Sequence, residues 1–189
     1  FRCVKYHCGE LQREIKWVLT SREMFLDIRE LQSYRGLTDI QRAAIYFTLI
    51  KESYGSDARS FGCTNRNMID AMEYLSKVQD RLKRTVIENK DFESLIKTYD
   101  RPEALFYLDP PYHGTEKHYN NPFSEKDHVR LNSALRNIKG NFILSYNDDD
   151  FVRSLYRDFK IKAVSRQNNL AMRNKNASHK FQELLIQNY

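Results

Sequence analysis

Ala104-Leu105-Phe106-Tyr107-Leu108 runs directly into Asp109-Pro110-Pro111-Tyr112. Five consecutive apolar residues read as a buried strand. The tetrapeptide at its carboxyl end is rigid, acidic and aromatic, and it stands where ligands bind in open α/β sheets. Around this strand the second half of the chain alternates in type. Thr85-Val86-Ile87-Glu88 reads as a short strand, Phe92 to Tyr99 as a short helix, and Ser124 to Ile138 as a helix with Ser124 and Asp127 in capping-box-like positions. Asn141-Phe142-Ile143-Leu144-Ser145-Tyr146 is a further strand and Asp149 to Tyr156 a further helix. Two strand-like runs, Phe159 to Val164 and Phe181 to Ile186, close the chain without a helix between them. This order predicts a mainly parallel sheet with helices on its faces and an antiparallel hairpin at one side.

The first half has a different period. Glu10 to Val18 and Arg22 to Leu31, the second entered at Ser21, carry Leu11, Ile15, Val18 and then Phe25, Ile28, Leu31 at helical spacing. Asp39 to Tyr54 has Ile40, Ala43, Ala44, Phe47 and Ile50 on one stripe, opened by Thr38 and closed by Gly55. After a polar loop from Ser56 to Asn67, Met68, Met72, Leu75, Val78 and Leu82 mark another helix. The chain therefore divides into a helical module, Phe1 to Arg84, and an α/β part, residues 85–189.

Of 189 residues 41% are apolar and 13% aromatic, which supports a packed core and excludes a disordered tail. There are 6 glycines, at Gly9, Gly36, Gly55, Gly62, Gly114 and Gly140, and no two form a G-x-G. The Rossmann fingerprint and the P-loop are thus excluded within these residues. Three cysteines, Cys3, Cys8 and Cys63, make no C-x-x-C and fit a reducing compartment. The histidines form no H-E-x-x-H, and His113 and His118 lack a carboxylate-rich ligand set, so no metal is expected. No apolar run reaches the ~18 residues a membrane span needs, and a soluble, cytoplasmic protein is expected. Residue 1 is Phe and the first methionine Met24, so the sequence reads as starting inside a longer frame or after a cleavage. The net charge of +6 permits a polyanionic partner. Phe159 to Gln182 carries Lys160, Lys162, Arg166, Arg173, Lys175 and Lys180 with no acid, as a solvated basic hairpin or a phosphate contact.

The chemistry suited to Asp109-Pro110-Pro111-Tyr112 is attack by a weakly nucleophilic amine. The lone pair on N6 of adenine is delocalised into the ring, and accepting hydrogen bonds from both N–H groups relocalises it. Asp109 offers a carboxylate. The Pro110 carbonyl offers the second acceptor, held by the fixed φ of proline. Tyr112 presents an aromatic face to a base taken out of the stack. Neither a covalent nucleophile nor a metal is required.

These residues resemble the D-P-P-Y loop of the Dam-type DNA adenine N6-methyltransferases, in which that loop receives a flipped adenine beside S-adenosylmethionine. Asn89-Lys90-Asp91-Phe92 ahead of the tetrapeptide is similar to the family's spacing, and the resemblance implies Asp91 and Phe92, with Asp109, as cofactor contacts. Phe142 to Asn147 and Glu183-Leu184-Leu185-Ile186 are similar to its last strands. Trp17 and Ser21-Arg22-Glu23-Met24-Phe25 look like the helical target-recognition insert of phage and prophage members. The family's glycine-rich opening strand and its second strand are not in this sequence. The resemblance therefore implies an incomplete Rossmann-like class I methyltransferase sheet, its carboxyl-terminal half, with a helical insert, from a truncated or fragmentary enzyme. It further implies methyl transfer from S-adenosylmethionine to N6 of adenine in double-stranded DNA, in a restriction-modification or prophage setting. Asp109, Pro110, Pro111 and Tyr112 are the expected catalytic residues, and Arg59, Asn65, Arg66, Arg173 and Lys175 the expected DNA contacts. The alternatives are an inactive DNA-binding remnant and an amino-methyltransferase acting on RNA or protein, whose motif resembles N-P-P-Y.

Overall fold

The computed structural model describes residues 1–62, 67–115, 123–167 and 180–189. They form two compact units, Phe1–Glu88 and Asn89–Tyr189.

The first unit is helical: α1 (Arg2–Tyr6), α2 (Cys8–Lys16), α3 (Arg22–Leu31), α4 (Asp39–Glu52) and α5 (Met68–Leu82). The three longest helices of this unit, α3, α4 and α5, begin where a polar side chain satisfies their first free amides. Ser21 accepts from the Met24 amide, Thr38 and Gln41 form a reciprocal capping box, and Asn67 accepts from the Ile69 and Asp70 amides. The stripes read from the sequence become two buried clusters. Cys3, Cys8, Leu11, Ile15, Ala44 and Leu75 form one, and Phe25, Ile28 and Leu49 the other. The first expected helix begins two residues early, at Cys8, and ends at Lys16, and the short α1 precedes it. Asp39 to Tyr54 ends as α-helix at Glu52, after which Tyr54–Ser56 turns as a single 3₁₀ turn.

The second unit carries α6 (Phe92–Tyr99), β1 (Leu105–Leu108), α7 (Glu125–Arg136), β2 (Asn141–Asn147), α8 (Asp150–Leu155), β3 (Lys160–Gln167) and β4 (Lys180–Gln187). The sheet order is β1-β2-β4-β3. β1 and β2 are parallel, with Leu105 opposite Asn141 and Leu108 opposite Leu144. β4 runs antiparallel to both β2 and β3. The sheet is therefore mixed, with one parallel pair among the described strands. β4 pairs antiparallel with β3 and inserts between β3 and β2.

The registers bring Phe106, Leu108, Phe142, Leu144, Tyr146, Leu184, Ile186 and Ile161 to one face of the sheet. There they pack with Ile96 of α6, Leu131 and Leu135 of α7, and Val152 and Tyr156 at α8. At this face Phe142, Leu144, Tyr146, Leu184 and Ile186 are fully buried.

Two strand expectations change. Thr85–Glu88 has no regular structure, and Val86 and Ile87 are 77% and 50% exposed. A strand exists only with a partner, and no described strand runs beside this one. Ala104–Leu108 is shorter and less buried than its composition implies. β1 lies at the edge of the sheet, with Leu105 and Tyr107 62% and 68% exposed.

The start of β2 is held closely against the segment before β1. The Asn141 amide donates to the Ala104 carbonyl at 2.8 Å, and Asp100 accepts from the Lys139 and Gly140 amides at 3.0 Å. A Cβ on Gly140 would lie 2.7 Å from the Ala104 oxygen and 2.8 Å from the Arg101 oxygen. Gly140→Ala should therefore destabilise the α/β unit by about 1–3 kcal/mol through overpacking. Urea unfolding checks this as a lower midpoint at unchanged slope; a midpoint equal to wild type would mean the approach is not tight.

Candidate active site at the carboxyl ends of the parallel pair

Because β1 and β2 are parallel and Leu108 faces Leu144, the two strands end side by side. Asp109 leaves the sheet next to Ser145. The Tyr112 hydroxyl lies 3.1 Å from the Ser145 hydroxyl, and its half-buried ring packs against Tyr146 at 6.3 Å between centroids. A turn follows at once. The Tyr112 carbonyl accepts from the Thr115 amide at 3.0 Å and from the Thr115 hydroxyl at 2.9 Å, and Gly114 takes φ +78°. That angle is easy only for glycine in the third position of such a turn.

His113 is gripped on two sides. Its carbonyl accepts from Asn147 Nδ2 at 3.1 Å. Its ring stacks on Phe151 at 4.4 Å, and its Nδ1 lies 3.0 Å from Asp149 Oδ1. Asp149 also caps α8 by accepting from the Phe151 and Val152 amides. Asp109 itself is exposed, and among the described residues no hydrogen bond is made to its carboxylate. The tetrapeptide is thus anchored through its tyrosine, with its acid facing outward.

Asp91 and Phe92 sit at the start of α6. Asp91 caps the helix by accepting from the Glu93 amide, and its other oxygen meets Arg130 Nη2 at 2.8 Å. Arg130 also reaches Glu93 and Asp127, and its guanidinium lies over the Phe92 ring at 4.7 Å. The Arg130 guanidinium, first among several hydrogen bonds, holds the Asp91 carboxyl below the usual carboxylate range. The Asp91 site is linked to the Tyr112 loop by successive ring contacts: Phe92 to Phe123 at 5.9 Å, Phe123 to His128 at 4.8 Å, His128 to Tyr146 at 5.5 Å. His128 is fully buried, with Nδ1 in hydrogen-bond distance of the Tyr146 hydroxyl. A groove of about 490 Å³ between α6 and α7 is lined by Glu93, Glu125, Lys126, Val129, Arg130 and Ser133, and by none of Asp109 to Tyr112.

Arg59 lies in the first unit, exposed, in a loop clipped between α4 and α5. The Arg29 guanidinium donates to its carbonyl at 2.6 Å and its amide donates to Asp57. Asn65, Arg66, Arg173 and Lys175 lie outside the described residues. Sequence reasoning passed over Ser145, Asn147, His128 and Arg130. For the first two a signal existed: they are polar residues at alternate positions directly after the apolar run Phe142-Ile143-Leu144.

Among the described residues no helix is long and apolar enough to cross a membrane. The family model for D12 class N6 adenine-specific DNA methyltransferases matches residues 4–170. A type II methyltransferase, M.CviBI, of Paramecium bursaria Chlorella virus NC1A is 33% identical over 76 residues. That match covers 40% of this chain and 29% of the relative's length.

The depressed Asp91 carboxyl has a consequence with a fixed sign. A lowered pKa contributes stability above the unfolded value and loses it as pH falls through the folded one. Arg130→Gln should return the Asp91 pKa toward the ordinary carboxylate range and flatten the acid limb of the unit's stability profile. A ¹³C-carboxyl NMR titration checks it; an Asp91 curve that does not move would remove Arg130 as the cause.

Proposed function

The chain belongs to the D12 class N6 adenine-specific DNA methyltransferases, and on that premise we propose that Asp109-Pro110-Pro111-Tyr112 receives an adenine flipped from duplex DNA and directs methyl transfer to its N6. The observation that carries this reading is the anchored loop at the ends of a parallel pair, with an outward-facing carboxylate one residue from the prolines. The donor, S-adenosylmethionine, supplies an electrophilic methyl carbon when bound.

Asp109 accepts one N6–H and the Pro110 carbonyl the other, which draws the lone pair out of the ring and onto nitrogen. Tyr112 supports the base face-on, replacing part of the stacking lost on flipping. As the bond from N6 to the methyl carbon forms, that carbon's bond to the donor sulfur would break with its electron pair left on sulfur, the nitrogen would become more acidic, and Asp109 is placed to take its proton. Asp91 and Phe92 fit the adenine end of the donor in chemical type: an ionised acceptor, half accessible at its side chain, suits an exocyclic amine, and an aromatic ring stands beside it. Arg130 keeps that acceptor charged and covers one side of the ring.

The helical module, residues 1–84, is the proposed target-recognition part, with Arg59, Asn65 and Arg66 from its loop and Arg173 and Lys175 from the basic segment as DNA contacts. The clipped loop supports Arg59 in that role: Gly55, Ser56 and Ala58 all take positive φ, so the turn is tight and displays its basic side chain outward. The relative's type II designation supports a restriction-modification setting.

Asp109→Ala should lower methyl transfer by about 10²–10³-fold, the scale of losing one aligned polar group at a reacting centre. Incubation with labelled S-adenosylmethionine and an adenine-containing duplex, followed by identification of the methylated base, measures it. Retention of the full rate would remove Asp109 from the chemistry.

A further inference from the structure

We propose that Ser145 and Asn147 are positioning residues for this reaction: alternate side chains of β2 hold Tyr112 by its hydroxyl and His113 by its carbonyl, and so set the plane on which the adenine rests. This rests on the methyl-transfer reading.

Ser145 is 5% exposed, in a strand whose preceding residues are Phe142, Ile143 and Leu144. A buried hydroxyl is costly unless it is hydrogen-bonded, so its presence there calls for a partner. The Tyr112 hydroxyl, 3.1 Å away, is that partner. With its far end tied to Ser145 and its ring against Tyr146, Tyr112 cannot swing about χ1 without breaking the hydroxyl contact. Two residues on, Asn147 lies on the same face of β2 and donates to the His113 carbonyl at 3.1 Å. Phe151 then stacks on the His113 ring. Two consecutive residues after the prolines are thus fixed at side chain, carbonyl and ring, by groups that follow one another along β2 and into α8.

Neither Ser145 nor Asn147 is needed to touch the base. Their effect passes through Tyr112 and His113, and it falls on the alignment of the amine with its acceptors, where about 1 Å of misplacement costs on the order of 100-fold in rate.

The test is a double-mutant cycle in the protein as encoded, including any sequence ahead of residue 1, methylating an adenine duplex with labelled S-adenosylmethionine. Ser145→Ala and Tyr112→Phe remove the same contact from its two ends and leave the tyrosine ring in place. Each should lower kcat by about tenfold or more with KM for DNA within about twofold of wild type, and the double variant should be no slower than either single one. Asn147→Ala should show the same split between kcat and KM. A merely structural role would give additive losses that follow stability. An active wild type with Ser145→Ala at full kcat, or with additive losses, overturns the positioning role alone. A wild-type protein of that length that transfers no methyl to adenine overturns the underlying reading and this proposal together.

Discussion

The parallel register of β1 on β2 is the constraint on which the site depends. It is fixed at the entry end, where the Asn141 amide meets the Ala104 carbonyl and Gly140 passes so close to Ala104 and Arg101 that a side chain would collide. From there the pairing runs to Leu108 opposite Leu144, so that Asp109 and Ser145 emerge together. A slip of one residue would turn Phe106 and Leu108 out of the core and carry the acid away from its neighbours. The apolar face of the sheet and the polar ends of its strands are therefore set by the same pairing.

Beyond that pairing, the loop is stiffened by contacts made at different depths. Tyr112 and His113 are tied to half-buried or buried groups, Ser145, Asn147 and Phe151. Arg130, Asp91 and Glu93 are more exposed, and such pairs contribute little to stability through solvent. Their effect is local: they keep Asp91 ionised and cover Phe92. Tyr112 and His113 are held by contacts within the fold, so their placement need not be set by the substrate. This is the condition under which fixed acceptors stabilise a developing charge.

What was legible in the sequence was local. Ser21, Thr38 and the Ser124/Asp127 box are the observed caps, and α3 and α6 have the read boundaries, because a cap and an apolar stripe are written within one helix. Pairing was less so. Thr85–Glu88 has the composition of a strand and no partner, and β1 reads as buried but lies at an edge, since neither property is encoded in the segment itself. The tetrapeptide was conspicuous through its own four residues. Its anchors were not: Ser145 is 33 residues from Tyr112, and Arg130 is 39 from Asp91. Only the fold makes these neighbours, and the residual clue was a serine and an asparagine two apart directly after an apolar run.

A structure of the chain bound to an adenine-containing duplex and an unreactive donor analogue addresses the chemistry most directly. The geometry described above predicts the target adenine outside the helix, its N6 within hydrogen-bond distance of both the Asp109 carboxylate and the Pro110 carbonyl, and its ring against Tyr112. An adenine still stacked in the duplex, or flipped with its N6 touching neither acceptor, would contradict it.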